Sequence, residues 1–174
     1  MTGRSLPERV VLVGFMAAGK SSVGRLLAAR LRYRFVDLDA EVEALAGRSI
    51  SAIFAAEGEA AFRDLEARAT QALDELRPLV VATGGGWMAR PSLRDRWPDA
   101  VRVWLRVSPP VVVRRLEGEL GTRPMLEPGE PEASVQRILD QRLGAYARAE
   151  LAVDTDGRTI EQVADRVIEL LDVR

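Results

Sequence analysis

The chain has 174 residues, the length of one ordinary α/β domain, and 47% of them are apolar, enough for one sizeable core. Its 25 Lys+Arg against 26 Asp+Glu leave a formal charge of −1, which argues against a non-specific grip on nucleic acid. Cys, His and Asn are all absent. That excludes disulfides, Cys nucleophiles, zinc fingers, HExxH sites and Ser-His-Asp triads, and leaves only a hard, oxygen-held metal such as Mg²⁺.

Strand and helix patterns alternate along the chain. Arg9–Val13 is a β-branched run ending at Gly14, a buried strand. Lys20–Arg32 carries Val23, Leu26, Leu27 and Leu31 on a helical stripe. Phe35–Asp39 reads as a second strand whose end bears two carboxylates. Residues 40–77 read as helical, broken at Gly47 and near Gly58. Leu79–Ala82 is a third strand leading into Thr83-Gly84-Gly85-Gly86. Val101–Leu105 is a fourth, followed by Pro109, Pro110 and a helix to about Leu116. Gly and Pro crowd residues 118–131, which predicts a mobile loop. A helix over Glu132–Arg148, a short strand Ala152–Asp154 and a helix starting at Thr159 complete the chain. Thr159-x-x-Gln162 is a capping box, with Ile160, Val163, Val167, Ile168 and Leu171 as the buried stripe. The alternation implies a parallel sheet covered on both faces in a single domain. The longest uncharged runs, Val10–Gly19 and Pro78–Ala89, fall short of the roughly 18–20 residues a membrane span needs, and a cytoplasmic location is expected.

Gly14-Phe15-Met16-Ala17-Ala18-Gly19-Lys20-Ser21 matches the phosphate-binding pattern G-x-x-x-x-G-K-[ST], between a strand and a helix as that motif requires. Its backbone N–H groups and the helix N-terminus would cradle phosphates. Lys20 would reach the β- and γ-phosphates, and the Ser21 hydroxyl would serve Mg²⁺. Strand alternation would point Asp37 and Asp39 to one side, toward this loop. One carboxylate would hold Mg²⁺ through water and the other take a proton from an acceptor hydroxyl. The rival reading makes Asp39 a helix N-cap. Three glycines after the third strand would let a small molecule approach the backbone closely. Arginines stand at suggestive places, Arg63, Arg123 and Arg142, but composition cannot choose among 24 of them.

Together GFMAAGKSSVG, Asp37-Leu38-Asp39, GEAAFRDLE of 58–66, ATGGG of 82–86, TRPML of 122–126 and Arg142-x3-Tyr146 resemble shikimate kinase, in that family's order and spacing. The resemblance implies a three-layer P-loop kinase fold with a five-stranded parallel sheet. The core would be 9–37, 79–117 and 150–174, with a helical substrate-binding insert at about 38–77 and a mobile lid at about 118–131. It implies transfer of the ATP γ-phosphoryl group to the 3-hydroxyl of shikimate. It assigns Asp39 as base, Arg63 and Arg142 to the shikimate carboxylate, and Gly85 and Gly86 as backbone donors. Phe54 and Phe62 become an apolar wall, Arg123 the lid arginine that stabilises transferring charge, and Arg115 the residue against adenine. Gly14, Ala17, Ala18, Gly19, Lys20, Ser21 and Ser22 become the nucleotide loop. Ser21 and Asp37 serve Mg²⁺. A monomer without nucleic-acid or membrane partners is the expected state.

Two departures stand out. Ala17 replaces a usual Gly, which is tolerable if φ there is negative, and Met125 replaces a usual Leu at similar volume. The nearest rival is a related small-molecule kinase such as gluconate kinase. An adenylate-kinase-like enzyme needs a second nucleotide site. A GTPase switch needs an N/T-K-x-D segment, which a chain without Asn and with its one Lys in the phosphate loop cannot supply.

Overall fold

The computed structural model describes residues 6–117 and 130–173. Strand β1 (Arg9–Val13) is buried along its whole length. It pairs in parallel with β3 (Leu79–Ala82) on one side and β4 (Val101–Arg106) on the other. Strand β2 (Arg34–Asp37) lies outside β3, and β5 (Leu151–Asp154) lies outside β4. The order is β2-β3-β1-β4-β5, with every pair parallel. Unbroken apolar runs suit the central strands β1 and β3, where helices cover both faces and every residue is buried.

Alternate residues of β1 serve two cores. Val10 and Leu12 pack under α1 (Lys20–Leu31), α5 (Pro109–Arg115), part of α6 (Pro131–Tyr146) and α7 (Ile160–Asp172). Val11 and Val13 pack under α2 (Leu38–Ala46), α3 (Ile50–Gln71) and α4 (Pro91–Arg94). The loops after the adjacent strands β1 and β3 therefore open side by side at the carboxyl end of the sheet, where ligands bind in open parallel sheets.

Several boundaries differ from the sequence reading, each for a local reason. Strand β2 stops at Asp37, and Leu38 already begins α2. Asp37 is the N-cap; its carboxylate accepts from the Asp39 backbone N–H at 3.1 Å, so Asp39 is neither a strand residue nor a cap. The insert stops being helical at Gln71 rather than at residue 77. There Arg9, fully buried, donates from Nη2 to the carbonyls of Leu73, Asp74 and Leu76 at 3.2, 2.8 and 3.3 Å, which satisfies carbonyls a continuing helix would use. Its guanidinium lies 4.5 Å from the Trp97 ring centroid. Gly47 caps α2 at φ 65°, and Gly58 breaks α3 into two segments at φ 78°. A 3₁₀ turn over Trp87–Ala89 and the four-residue α4 have too few residues to show a period. The capping box on α7 forms as the spacing predicts, but Ile160 is 43% exposed and leaves its expected buried stripe. Most of the 118–131 segment, with Arg123 and Met125, lies outside the described residues.

Candidate active site

The phosphate loop is built by close approach and positive φ. Gly14 sits at φ 140°, and a Cβ there would lie 2.5 Å from the Leu105 carbonyl oxygen of β4. Gly19, the N-cap of α1, sits at φ 89° and offers no capping side chain; no acidic residue stands in the first turn of α1. The N–H groups of that turn are thus free of side-chain caps and face the loop, an anion site made from backbone. Lys20 Nζ donates to the carbonyls of Gly14 at 2.9 Å and Phe15 at 2.7 Å, which holds the ammonium inside the curve of the loop.

Ala17 corrects an expectation: its φ is +57°, not negative. A side chain there costs about 1 kcal/mol. Arg115 Nη1 donates to the Ala17 carbonyl at 2.9 Å and helps hold the strained turn. Ala17→Gly should therefore raise stability by about 0.5–1 kcal/mol, or about 2 °C in Tm, measured by thermal unfolding. Turnover should stay unchanged.

Arg115 also reaches Thr155, through Oγ1 at 3.4 Å and the backbone carbonyl at 3.2 Å. It walls a cavity of about 210 Å³ beside the loop, lined also by Ala18, Ser22, Thr155, Arg158 and Ile160. Thr155 and Arg158 have no role in the sequence reading, and Ile160, expected in the buried stripe of α7, lines this cavity instead. On the other side of the loop, Ser21 Oγ donates to the Asp37 carboxylate. A hydroxyl and a carboxylate side by side are hard oxygen donors and suit Mg²⁺, which completes its shell with water and substrate phosphate. Among the described residues no group of three or more Asp and Glu gathers to hold a metal by itself.

A second cluster forms around Gly84–Gly86. None of these glycines has positive φ; what they supply is room. A Cβ on Gly84 would lie 3.0 Å from Asp39 Oδ1 and 2.9 Å from Glu66 Oε1. On Gly85 it would lie 2.8 Å from Arg142 Nη1, and on Gly86 2.6 Å from Arg63 Nη2. One base candidate and two guanidinium groups thus converge on three consecutive backbone positions, beside the phosphate loop. Arg142 also lies 5.7 Å from the centroid of the Phe15 ring in that loop. Phe54 and Phe62, on either side of the break at Gly58, bring their rings to 5.0 Å between centroids at a tilt of 36° and form an apolar surface on α3.

Asp39 is exposed as a residue, yet protein closes round its carboxyl. That loss of water pushes it above the usual carboxylate range; Lys20 opposes the shift, and Asp37, Glu66 and Glu43 add to it. Burial pulls the Arg63 guanidinium down, but Glu66 and Glu59 outweigh it and the net shift is upward. Glu59 accepts from Arg63 Nε at 3.1 Å and from Nη2 at 2.9 Å, while Glu66 accepts from Nη1 at 3.0 Å. Glu66 is fully buried, and Arg90 donates to it at 3.4 Å and to the Arg63 carbonyl at 2.8 Å. Neither Glu66 nor Arg90 was singled out from the sequence. The usable signal was helical spacing: Glu66 stands three residues after Arg63 and so shares its face.

The fold and this pair of clusters define a P-loop phosphotransferase with a small acceptor site. A family model described as shikimate kinase matches residues 16–172. Shikimate kinase from Synechococcus sp. (strain CC9605) is 42% identical over 171 residues, covering 98% of this chain and 84% of the relative. A solved structure of shikimate kinase from Acinetobacter baumannii in complex with shikimate superposes with a TM-score of 0.88 at 31% identity, covering 94% of this chain and 92% of that one. A gluconokinase structure from Sinorhizobium meliloti 1021 reaches a TM-score of 0.63 at 21% identity, covering 97% and 93%, a likeness of fold alone. The chain belongs to the shikimate kinase family.

Proposed function

We propose that this chain transfers the γ-phosphoryl group of ATP to the 3-hydroxyl of shikimate, giving shikimate 3-phosphate and ADP on the route to chorismate and the aromatic amino acids. The observation that carries the reading is the convergence of Asp39, Arg63 and Arg142 on Gly84–Gly86 beside the phosphate loop. Shikimate offers a carboxylate at one end and hydroxyls at the other. Arg63 and Arg142 take the carboxylate with planar forks, assisted by the N–H groups of Gly85 and Gly86. Phe54 and Phe62 face the ring. Asp39 orients the hydroxyls and accepts the 3-hydroxyl proton as the new O–P bond forms and the bond from the γ-phosphorus to the β-γ bridging oxygen breaks.

The backbone of Gly14–Ser22 holds the phosphates, and Lys20 sets its charge against the β- and γ-groups. Arg115 and the cavity beside it take the base. Ser21 and Asp37 would hold Mg²⁺, directly and through water, and the ion would supply positive charge to the phosphates. The chain acts as a cytoplasmic monomer on small molecules, without nucleic acid or membrane. No described helix is long and apolar enough to cross a membrane.

Arg142→Ala tests the acceptor end. Loss of a charge-assisted pair at about 1.5–3 kcal/mol should raise the KM for shikimate about 10- to 100-fold and leave the KM for ATP within twofold. Steady-state kinetics with each substrate varied in turn reads this directly; an unchanged shikimate KM removes Arg142 from the carboxylate site.

A further inference from the structure

Tyr146 is the last residue of α6, only 1% exposed, with its ring 5.8 Å from that of Trp104. Its hydroxyl donates to the Gly85 carbonyl at 2.5 Å. The Arg142 guanidinium stands against the same hydroxyl; burial pushes the phenol up, and the Arg142 charge and its hydrogen bonding pull against that. Arg142 and Tyr146 are four residues apart on one helix, so both reach the same side. A Cβ on Gly85 would meet Arg142 Nη1 at 2.8 Å and the Tyr146 hydroxyl at 3.6 Å, so the three groups surround one point.

We propose that Tyr146 is a positioning residue for acceptor binding: its hydroxyl ties Gly85 to α6 and fixes Arg142 against the glycine loop. The polarity of this link allows no alternative. A guanidinium only donates and a carbonyl only accepts, so the phenol must accept from Arg142 and donate to Gly85. The Arg142 charge strengthens the phenol as a donor, and each bond reinforces the other. The two ends of the loop are held separately. Thr83 Oγ1 donates to the Leu12 carbonyl at 3.1 Å, and Trp87 Nε1 donates to Thr70 on α3 at 3.1 Å. Tyr146 thus supplies a side-chain hydrogen bond from α6 to the middle glycine. It presets the edge on which Arg142 and the loop N–H groups meet a carboxylate. Trp104 continues the contact toward the nucleotide side, where its Cδ1 would lie 3.5 Å from a Cβ on Gly14.

The proposal rests on the reading of Arg142 and the glycines as the shikimate site. Tyr146→Phe keeps the ring against Trp104 and removes only the hydroxyl. It should raise the KM for shikimate about 5- to 20-fold, leave the KM for ATP within about twofold, and recover near wild-type kcat at saturating shikimate. In an Arg142→Lys background, which loses the fork that Tyr146 holds, adding Tyr146→Phe should raise the shikimate KM by less than about twofold. An unchanged shikimate KM, a parallel rise in both KM values, or the full rise repeated in the Arg142→Lys background overturns the proposal. A calorimetric titration of shikimate onto the folded variant supplies the same comparison without turnover, with the affinity loss expected to match the KM change. Wild-type protein that turns over ATP without dependence on shikimate overturns the functional reading itself. Normal wild-type turnover with an indifferent Tyr146→Phe overturns only the role of Tyr146.

Discussion

Asp39→Asn should lower kcat for shikimate phosphorylation by about 10²- to 10⁴-fold, the range that a positioned general base contributes. The substitution keeps the volume that packs against Gly84 and removes only the capacity to take the proton. Two small effects on stability oppose each other. Asp39 stands in the first turn of α2, where a negative charge gains about 0.3–1 kcal/mol from the helix dipole. Against this, its carboxyl is crowded by Asp37, Glu66 and Glu43, and Asn relieves that repulsion. The Tm should move by no more than a few degrees. A stopped-time assay of shikimate 3-phosphate beside a thermal melt separates the two quantities. A folded variant with kcat within tenfold of wild type would take Asp39 out of the base role.

Lys20→Arg is the second large effect. It looks conservative in a chain that uses Arg at 24 of its 25 basic positions. The seat does not permit it. Nζ lies 2.9 Å and 2.7 Å from two carbonyls of the same loop, so the ammonium fills a curve of backbone a few ångströms across. A guanidinium is broad and planar and cannot pivot between those carbonyls and a phosphate as a point charge can. We expect kcat/KM for ATP to fall by at least about 10²-fold, the scale on which loss of one well-placed electrostatic contact acts. Circular dichroism and Tm should stay near wild type, because Lys20 begins α1 at a partly open position. Turnover within a few-fold of wild type would show that the loop accepts either cation.

The alternation of strand and helix was legible in the sequence because the central strands are buried on both faces and so read as continuous apolar runs. β1, β3 and β4 emerge within a residue of their expected bounds. The phosphate loop was legible because its glycines are fixed by geometry, as the 2.5 Å approach of a Gly14 Cβ to Leu105 makes plain. The turn from β2 into α2 was not. Asp37-Leu38-Asp39 alternates like a strand, and the cap bond from the Asp39 N–H to Asp37 ends it two residues early. The φ of Ala17 was equally hidden. Ala avoids positive φ in isolation, and the contact from Arg115 that helps hold it there comes from a residue 98 positions away.

Buried polar residues were the hardest to find. Arg9 lies inside an apolar strand pattern and gives no outward sign that it binds three carbonyls beyond α3. Glu66 and Tyr146 stand inside motifs that carry the family resemblance, GEAAFRDLE and Arg142-x3-Tyr146, but the residues alone assigned neither a role. Their partners, Arg63 and Gly85, are what give them meaning. Among 24 arginines, composition cannot choose. Arg63, Arg115 and Arg142 are separated from the rest by what the fold places beside them: two carboxylates, the carbonyl of Ala17, and the hydroxyl of Tyr146.

The central claim is phosphoryl transfer to shikimate at the Gly84–Gly86 cluster. It is tested most directly by coupled ADP release with ATP, Mg²⁺ and either shikimate or gluconate as acceptor. ADP release should depend on shikimate and match shikimate 3-phosphate one for one, with gluconate at the level of the acceptor-free control. ADP release no higher with shikimate than without it, or equal with gluconate, would contradict it.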